Sequence, residues 1–157
     1  MGVSHGVNDV TRGAYVNAMD TTGESGSVTP LERAVQAAGE GPAGTVFLGS
    51  MPGTLLEALG IEVVEARPDR VVATMPVGPA QHQPYGLLHG GASVALAETV
   101  ASVGACLLPN GGMQRVVGLE INANHIRAVR TGGVRAVGVP LHRGRSTQVW
   151  SIEIRDD

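Results

Sequence analysis

The stretch Gln83-Pro84-Tyr85-Gly86-Leu87-Leu88-His89-Gly90-Gly91-Ala92-Ser93-Val94-Ala95-Leu96-Ala97-Glu98-Thr99-Val100-Ala101-Ser102 decides how this chain reads. A polar, turn-rich run carrying an amide and an imidazole passes through Gly90-Gly91 into a segment that is apolar almost all round. That pattern predicts a helix to about Leu108. Glu98 is the helix's only charge. An ionised carboxylate is costly in an apolar setting unless it is paired or hydrogen-bonded, so a solitary one is a candidate working group. The competing reading is a helix with one wet stripe.

Upstream, Ile61 to Ala66 and Arg70 to Val77 flank the turn-forming Arg67-Pro68-Asp69 and read as a hairpin. Before it, Pro52 to Leu59 predicts a short helix, with Ser50 as cap, Leu55, Leu56 and Leu59 as apolar face, and Gly60 as stop. Downstream, Pro109-Asn110-Gly111-Gly112 breaks the long helix. Met113 to Arg130 then alternates, with Val117, Leu119, Ile121, Ala123 and His125 on one face and Glu120, Asn122 and Asn124 on the other. Thr131-Gly132-Gly133 leads into a strand over Val134 to Leu141, and His142-Arg143-Gly144-Arg145 turns the chain into Thr147 to Arg155. In that last strand Gln148, Trp150, Ile152 and Ile154 share a side. A helix that is oily all round needs wrapping, so the expected class is α+β, a curved antiparallel sheet around one long central helix. Tight turns between the later strands argue against a doubly wound parallel sheet.

Residues 1–48 are rich in Gly, Ser, Thr, Asp and Asn and read as a mobile N-terminal arm. Inside it, Thr29-Pro30-Leu31-Glu32 has a capping-box pattern that predicts a short helix to about Ala38, stopped by Gly39 and Gly41. Residues 49–157 form the folded domain, and 157 residues suit one core. A net charge of −3 argues against a nucleic-acid footprint, and no basic amphipathic helix suggests a membrane surface. All eleven basic residues are arginine, which removes lysine Schiff-base and P-loop chemistry. Cys106 is the one cysteine, so neither a disulfide framework nor a cysteine zinc cluster is expected, and a cytoplasmic setting is the default. No signal-peptide order is visible, and Glu98 at the helix centre argues against a membrane span. Neither a metal nor a resident cofactor is expected.

The central stretch also carries candidate chemistry. The helix start at Gly90-Gly91 suits a developing oxyanion, with the Gly91 N–H as donor. Gln83 can donate to a carbonyl, His89 can polarise the same carbonyl or brace the turn, and Ser102, one turn after Glu98, can hold a water beside it. Gly91 and Glu98 are seven residues apart, roughly 10 Å along a helix. Reacting groups must converge to about 3 Å of one carbonyl. A composite site is therefore expected, the Gln83 to Gly91 loop of one subunit facing Glu98 of another. Gly91-Ala92-Ser93-Val94-Ala95 falls one residue short of a nucleophile elbow and lacks its strand and downstream Asp and His.

Together with Val117-Gly118-Leu119-Glu120-Ile121-Asn122-Ala123-Asn124-His125 and Pro140-Leu141-His142-Arg143-Gly144-Arg145-Ser146-Thr147-Gln148-Val149-Trp150, the central stretch resembles the hotdog-fold acyl-CoA thioesterases of the phenylacetate-degradation type. Within them it is most similar to the branch of the enterobactin proofreading and 1,4-dihydroxy-2-naphthoyl-CoA thioesterases, over about Met51 to Arg155. The resemblance implies hydrolysis of an acyl-CoA or acyl-carrier-protein thioester, aromatic or medium-chain, with coenzyme A only as part of the substrate. It implies dimers that pair sheets edge to edge, often as tetramers. By position Glu98 matches the catalytic carboxylate, as general base or nucleophile, and Gln83, His89, Gly91 and Ser102 match the groups around the carbonyl and water. Gly90, Tyr85 and His125 match the acyl side, and His142, Arg143, Arg145 and Ser146 the coenzyme A contact. A hotdog enoyl-CoA hydratase and a non-catalytic or truncated paralogue are the alternatives. Family members continue past the equivalent of Arg155 into a further interior strand, a place that the N-terminal arm or a partner would have to fill here.

Overall fold

A computed structural model describes residues 9–20, 28–38, 48–49, 51–107 and 113–156, with 9–20 described as backbone. In chain order the elements are β1 (Asp9–Asp20), α1 (Pro30–Ala38), α2 (Leu55–Leu59), β2 (Glu62–Arg67) and β3 (Arg70–Val77). After a 3-10 turn at Pro79–Gln81 come β4 (His82–Gln83), β5 (Leu87–Leu88), α3 (Gly90–Cys106), β6 (Val116–His125), β7 (Gly132–Arg143) and β8 (Thr147–Asp156). Six strands form one antiparallel sheet in the order β2-β3-β7-β8-β1-β6, and β4 pairs only with β5. The long helix packs against every strand of the large sheet, as its apolar circumference demands.

The core lies between α3 and the sheet. Leu96, Ala97, Val100, Ala101, Val103 and Ala105 of the helix are buried, as are Val71, Ala73 and Met75 of β3 and Trp150, Ile152 and Ile154 of β8. Each large side chain of this set contributes about 1.5–3 kcal/mol by leaving water. Helix and sheet touch closely where Gly104 meets Trp150, since a Cβ on Gly104 would stand 2.2 Å from the indole Cη2. The ring is pinned there, because Trp150 Nε1 donates to Gln148 Oε1 at 3.1 Å and Gln148 Nε2 donates to the Ala105 carbonyl at 3.2 Å.

Several boundaries differ from the sequence reading. Helix α2 begins at Leu55, and the N-cap is Thr54, whose hydroxyl donates to the Met51 carbonyl at 2.5 Å and makes no cap bond. The Gly53 N–H instead meets the Glu57 carboxylate at 2.8 Å. Leu56 and Leu59 pack on the core while Leu55 is exposed, because a five-residue helix offers a narrower buried face than the expected eight. Ser50, Gly39, Gly41 and the breaker at 109–112 lie outside the described residues. Helix α1 has the expected capping box. The Thr29 N–H donates to the Glu32 carboxylate at 2.6 Å and the Glu32 N–H to the Thr29 hydroxyl at 3.2 Å, bonds that hold the Glu32 carboxyl below its ordinary value.

Two differences bear on the site. Strand β6 carries an extra residue: Asn17 of β1 faces Glu120 and Ala18 faces Gly118, leaving Leu119 as a bulge. The bulge reverses the alternation. Val116 packs on the core and Gly118 turns to α3, then Ile121 and Ala123 pack inwards, while Val117 and Leu119, expected on the inner face, are 46% and 50% exposed. The second difference is β1. Within the stretch expected to be an arm, Asp9–Asp20 lies between β8 and β6, pairing from Asp9 with Arg155 to Met19 with Thr147 on one side and from Thr11 with His125 to Asp20 with Val116 on the other. It takes the place beside β8 that the family pattern gives to a later strand. Two hydrogen-bonded ladders use main-chain groups alone, so a segment poor in large apolar residues can still be an interior strand.

Candidate active site

The loop before α3 is a three-residue hairpin. His82 pairs with Leu88 and Gln83 with Leu87, Pro84 and Tyr85 fill the turn, and the Gly86 N–H returns to the Gln83 carbonyl at 2.9 Å. Gly86 has φ +71°, the left-handed position that follows a type I turn in such hairpins. The loop is tied down at several points. The His89 N–H donates to the Gln81 carbonyl, the Leu88 N–H to the Val129 carbonyl and His82 Nε2 to the Arg130 carbonyl, each at 2.8 Å. Gln81 is buried and donates its amide to the Leu59 carbonyl at 2.8 Å, which fixes the hairpin against α2.

This scaffold sets the polarity of two side chains. Gln83 Oε1 accepts the Tyr85 N–H, so the amide nitrogen is left as the outward donor. His89 caps α3, its Nδ1 accepting the Gly91 N–H at 2.8 Å. With Nδ1 an acceptor, the neutral ring carries its proton on Nε2 and presents an N–H. The Gly91 N–H, expected as the donor to an oxyanion, is thus engaged by the histidine, because the N-cap position leaves the ring within reach of it.

The helix start separates two clefts. One, of about 320 Å³, is lined by Gln83, Leu87, Leu88, Gly90, Ser93 and His125 among others. Gly90 lets the imidazole of His125 lie against the helix, since a Cβ there would stand 2.9 Å from its Nε2. The other, of about 300 Å³ and mostly apolar, is lined by His89 and Gly91 together with Leu55, Leu59 and Gln81. Gln83, Gly90 and His125 are therefore brought together in one chain, while His89 and Gly91 face a different space.

Glu98 lines neither cleft. It is half-buried and its carboxylate lies over Gly118 of β6, the outermost strand of the sheet among the described residues. Burial raises its pKa above the ordinary 4.5, and no hydrogen bond or cation among the described residues offsets that cost. Ser102, also half-buried, and the exposed Tyr85 line neither cleft.

The expected coenzyme A segment is arranged differently from its reading as a turn. His142 and Arg143 belong to β7, pairing with Val149 and Gln148. The Arg143 guanidinium donates to the Pro68 carbonyl at 2.5 Å and the Leu107 carbonyl at 2.7 Å, so it braces the β2–β3 turn against the end of α3. An arginine at a strand end reaches orphan helix carbonyls readily, and two of its five N–H donors are engaged in this brace. His142, Arg145 and Ser146 are exposed, and none of the four lines either cleft. Sequence reasoning gave no role to Gly118 or Gln81. A glycine inside an apolar strand was the available signal for the first; nothing in the sequence separates Gln81 from an ordinary loop amide. Among the described residues no three His, Cys, Asp or Glu side chains converge as a metal site, and no helix is long and apolar enough to cross a membrane.

Comparison with known proteins agrees with this architecture. Residues 85–157 match the thioesterase superfamily. The proofreading thioesterase EntH of Cronobacter turicensis is 55% identical over 105 residues, covering 67% of this chain and 76% of that protein. The 1,4-dihydroxy-2-naphthoyl-CoA hydrolase of Escherichia coli is 52% identical over 105 residues with the same coverage. A crystal structure of a thioesterase from Haemophilus influenzae superposes with a TM-score of 0.62 at 48% identity, over 68% of this chain and 73% of that one. A solitary acid on an oily helix wrapped by an antiparallel sheet, and relatives of this identity over most of their length, place the chain: it belongs to the thioesterase superfamily, with the hotdog fold, and is a thioester hydrolase.

Proposed function

We propose that this chain hydrolyses an acyl-CoA thioester, with an acyl-carrier-protein thioester as the related substrate, at a site shared between two copies. The observation that carries the reading is the half-buried Glu98 carboxylate lying over Gly118, without a compensating partner among the described residues. Glu98 of one copy takes a proton from water, or attacks directly. The Gln83 amide of the other copy donates to the thioester oxygen as it gains charge, and His89, on the neighbouring cleft, braces the helix start. On the water route the water oxygen adds to the thioester carbon and the tetrahedral intermediate expels the coenzyme A thiolate, which receives the proton that Glu98 holds; on the direct route the thiolate leaves as a Glu98–acyl anhydride forms, and water then hydrolyses the anhydride and supplies the thiol's proton. The Gly91 N–H acts one step back, by fixing the His89 tautomer.

The acyl group is aromatic or medium-chain in this reading, supported by the aromatic acyl-CoA named for the Escherichia coli relative and by clefts of about 300 Å³ beside the helix start. Exposed Tyr85, Arg145 and Ser146 are left to meet the rest of the substrate. A second copy enters this reading because Glu98 lines neither cleft, and among the described residues β6 has an open strand edge with Val117 and Leu119 exposed. No cofactor enters, and the setting is the cytoplasm.

Turnover of a panel of aryl and acyl-CoA thioesters by Glu98→Ala tests the reading. A loss of at least about 100-fold in kcat is expected, near 3 kcal/mol of transition-state stabilisation. Unchanged turnover removes Glu98 from the chemistry. Mixing E98A with Q83A tests the shared site: mixed dimers carry one intact site each, so about a quarter of the parental activity should return. No recovery in demonstrated mixed dimers would place the whole site in one chain.

A further inference from the structure

We propose that Gly118 is a positioning residue for Glu98, its bare backbone on β6 being the seat in which the carboxylate lies. The proposal rests on the reading of Glu98 given above and deepens it. A Cβ at position 118 would stand 1.9 Å from Oε1, 2.9 Å from Cδ and 3.3 Å from Oε2. All three atoms of the carboxyl group fall inside the 3.4 Å at which ordinary contact begins, so rotation about the last bond gives no escape. The acid would have to retreat by 3.4 minus 1.9, about 1.5 Å.

The strand is built to deliver this glycine. Without the bulge at Leu119, the inner face set by Ile121 and Ala123 would present Leu119 or Val117 to α3 instead. With it, the one residue lacking a side chain faces the helix. Gly118 does not have positive φ, so the backbone itself has no need of glycine. Mid-strand glycine is also unfavourable by roughly 0.5–1 kcal/mol relative to alanine. What glycine supplies here is space, and the group that uses the space is the carboxylate.

Gly118→Ala tests this without backbone strain. A reacting group misplaced by about 1 Å can lose roughly 100-fold in rate, so kcat of G118A should fall by that order while KM changes by no more than a few-fold. The melting temperature should stay within a few degrees of the parent. The deciding readout is coupling. G118A should leave the residual rate of E98A unchanged, and should cost far less in an E98D background, where the acid is already one methylene shorter. Parental kcat in G118A alongside an inactive E98A overturns the proposal alone. So does a G118A that lowers E98A and the parent by the same factor, or that melts more than about 5 °C lower, since each assigns Gly118 to the fold. Full activity in E98A overturns the reading of Glu98 and this proposal with it.

Discussion

Removal of residues 1–20 should release β6 from the sheet before it affects anything else. Strand β6 has β1 as its sole strand neighbour among the described residues, whereas β8 keeps β7. The β1–β6 ladder has eight partner pairs. An antiparallel ladder makes about one hydrogen bond per pair, so about eight bonds go, each worth about 1 kcal/mol net. The resulting ~8 kcal/mol is comparable with the whole stability of a domain, about 5–15 kcal/mol. The cost falls on a strand whose backbone groups find partners only by detaching into water. Amide hydrogen exchange read by mass spectrometry on fragments spanning 113–130 should therefore show protection lost there in the truncated chain, with protection retained in α3, β3 and β7. Thioesterase activity should go with it, since Gly118 leaves Glu98. A synthetic peptide of residues 9–20 should restore both. Unchanged protection of 116–125 in the truncated chain would refute the role given to β1.

Gly104→Ala is expected to destabilise by about 3 kcal/mol or more, the upper range for overpacking, because its Cβ would overlap a buried indole whose Nε1 is held by Gln148; urea unfolding measures it, and a change below about 0.5 kcal/mol would mean that helix and sheet separate freely. The raised pKa of Glu98 has a consequence of definite sign. The folded chain holds that proton to higher pH than the unfolded chain, so the favourable contribution is complete below the unfolded value, near 4.5, and is lost as pH rises through the folded value. Glu98→Gln, which never ionises, should melt higher than the parent at pH 7 and alike at pH 4. The acid limb of kcat/KM should accordingly lie above pH 4.5. Equal differences in melting temperature at both pH values would remove burial as the cause.

Most of the fold was legible because its signals are local and redundant. The β8 pattern of Gln148, Trp150, Ile152 and Ile154, the capping box at Thr29 and the oily circumference of α3 each need only nearby residues to be read. The errors fell where a single residue or a distant partner decides the outcome. One inserted residue on β6 reversed the faces of Val117 and Leu119, and period-two reasoning has no means of seeing it. Strand β1 is held by main-chain bonds to β6 and β8, more than a hundred positions away, so its composition still read as an arm. In the candidate site, residue types were legible and their bonding was not. Glycines at 90 and 91 were evident, but the engagement of the Gly91 N–H by His89 depends on ring orientation, and the use of Arg143 as a brace depends on where Pro68 and Leu107 end.

The bulge at Leu119 links these observations, because with Ile121 and Ala123 packed inwards one extra residue does two things that regular alternation could not do. It turns Val117 and Leu119 outwards on the edge strand, where apolar side chains beside unpaired main-chain groups suit contact with another strand. It also turns Gly118 inwards, under the one acid of the helix. A strand with strict alternation from Val116 to His125 would give up one set or the other: Val117 and Leu119 turned in to crowd Glu98 when Ile121 and Ala123 face the core, or Ile121 and Ala123 facing away from the core when Gly118 faces Glu98. On the shared-site reading the two needs coincide in space, since the acid must lie where the second copy arrives with its Gln83 donor. Deleting Leu119 should therefore disturb assembly and catalysis together, whereas Gly118→Ala should disturb catalysis alone.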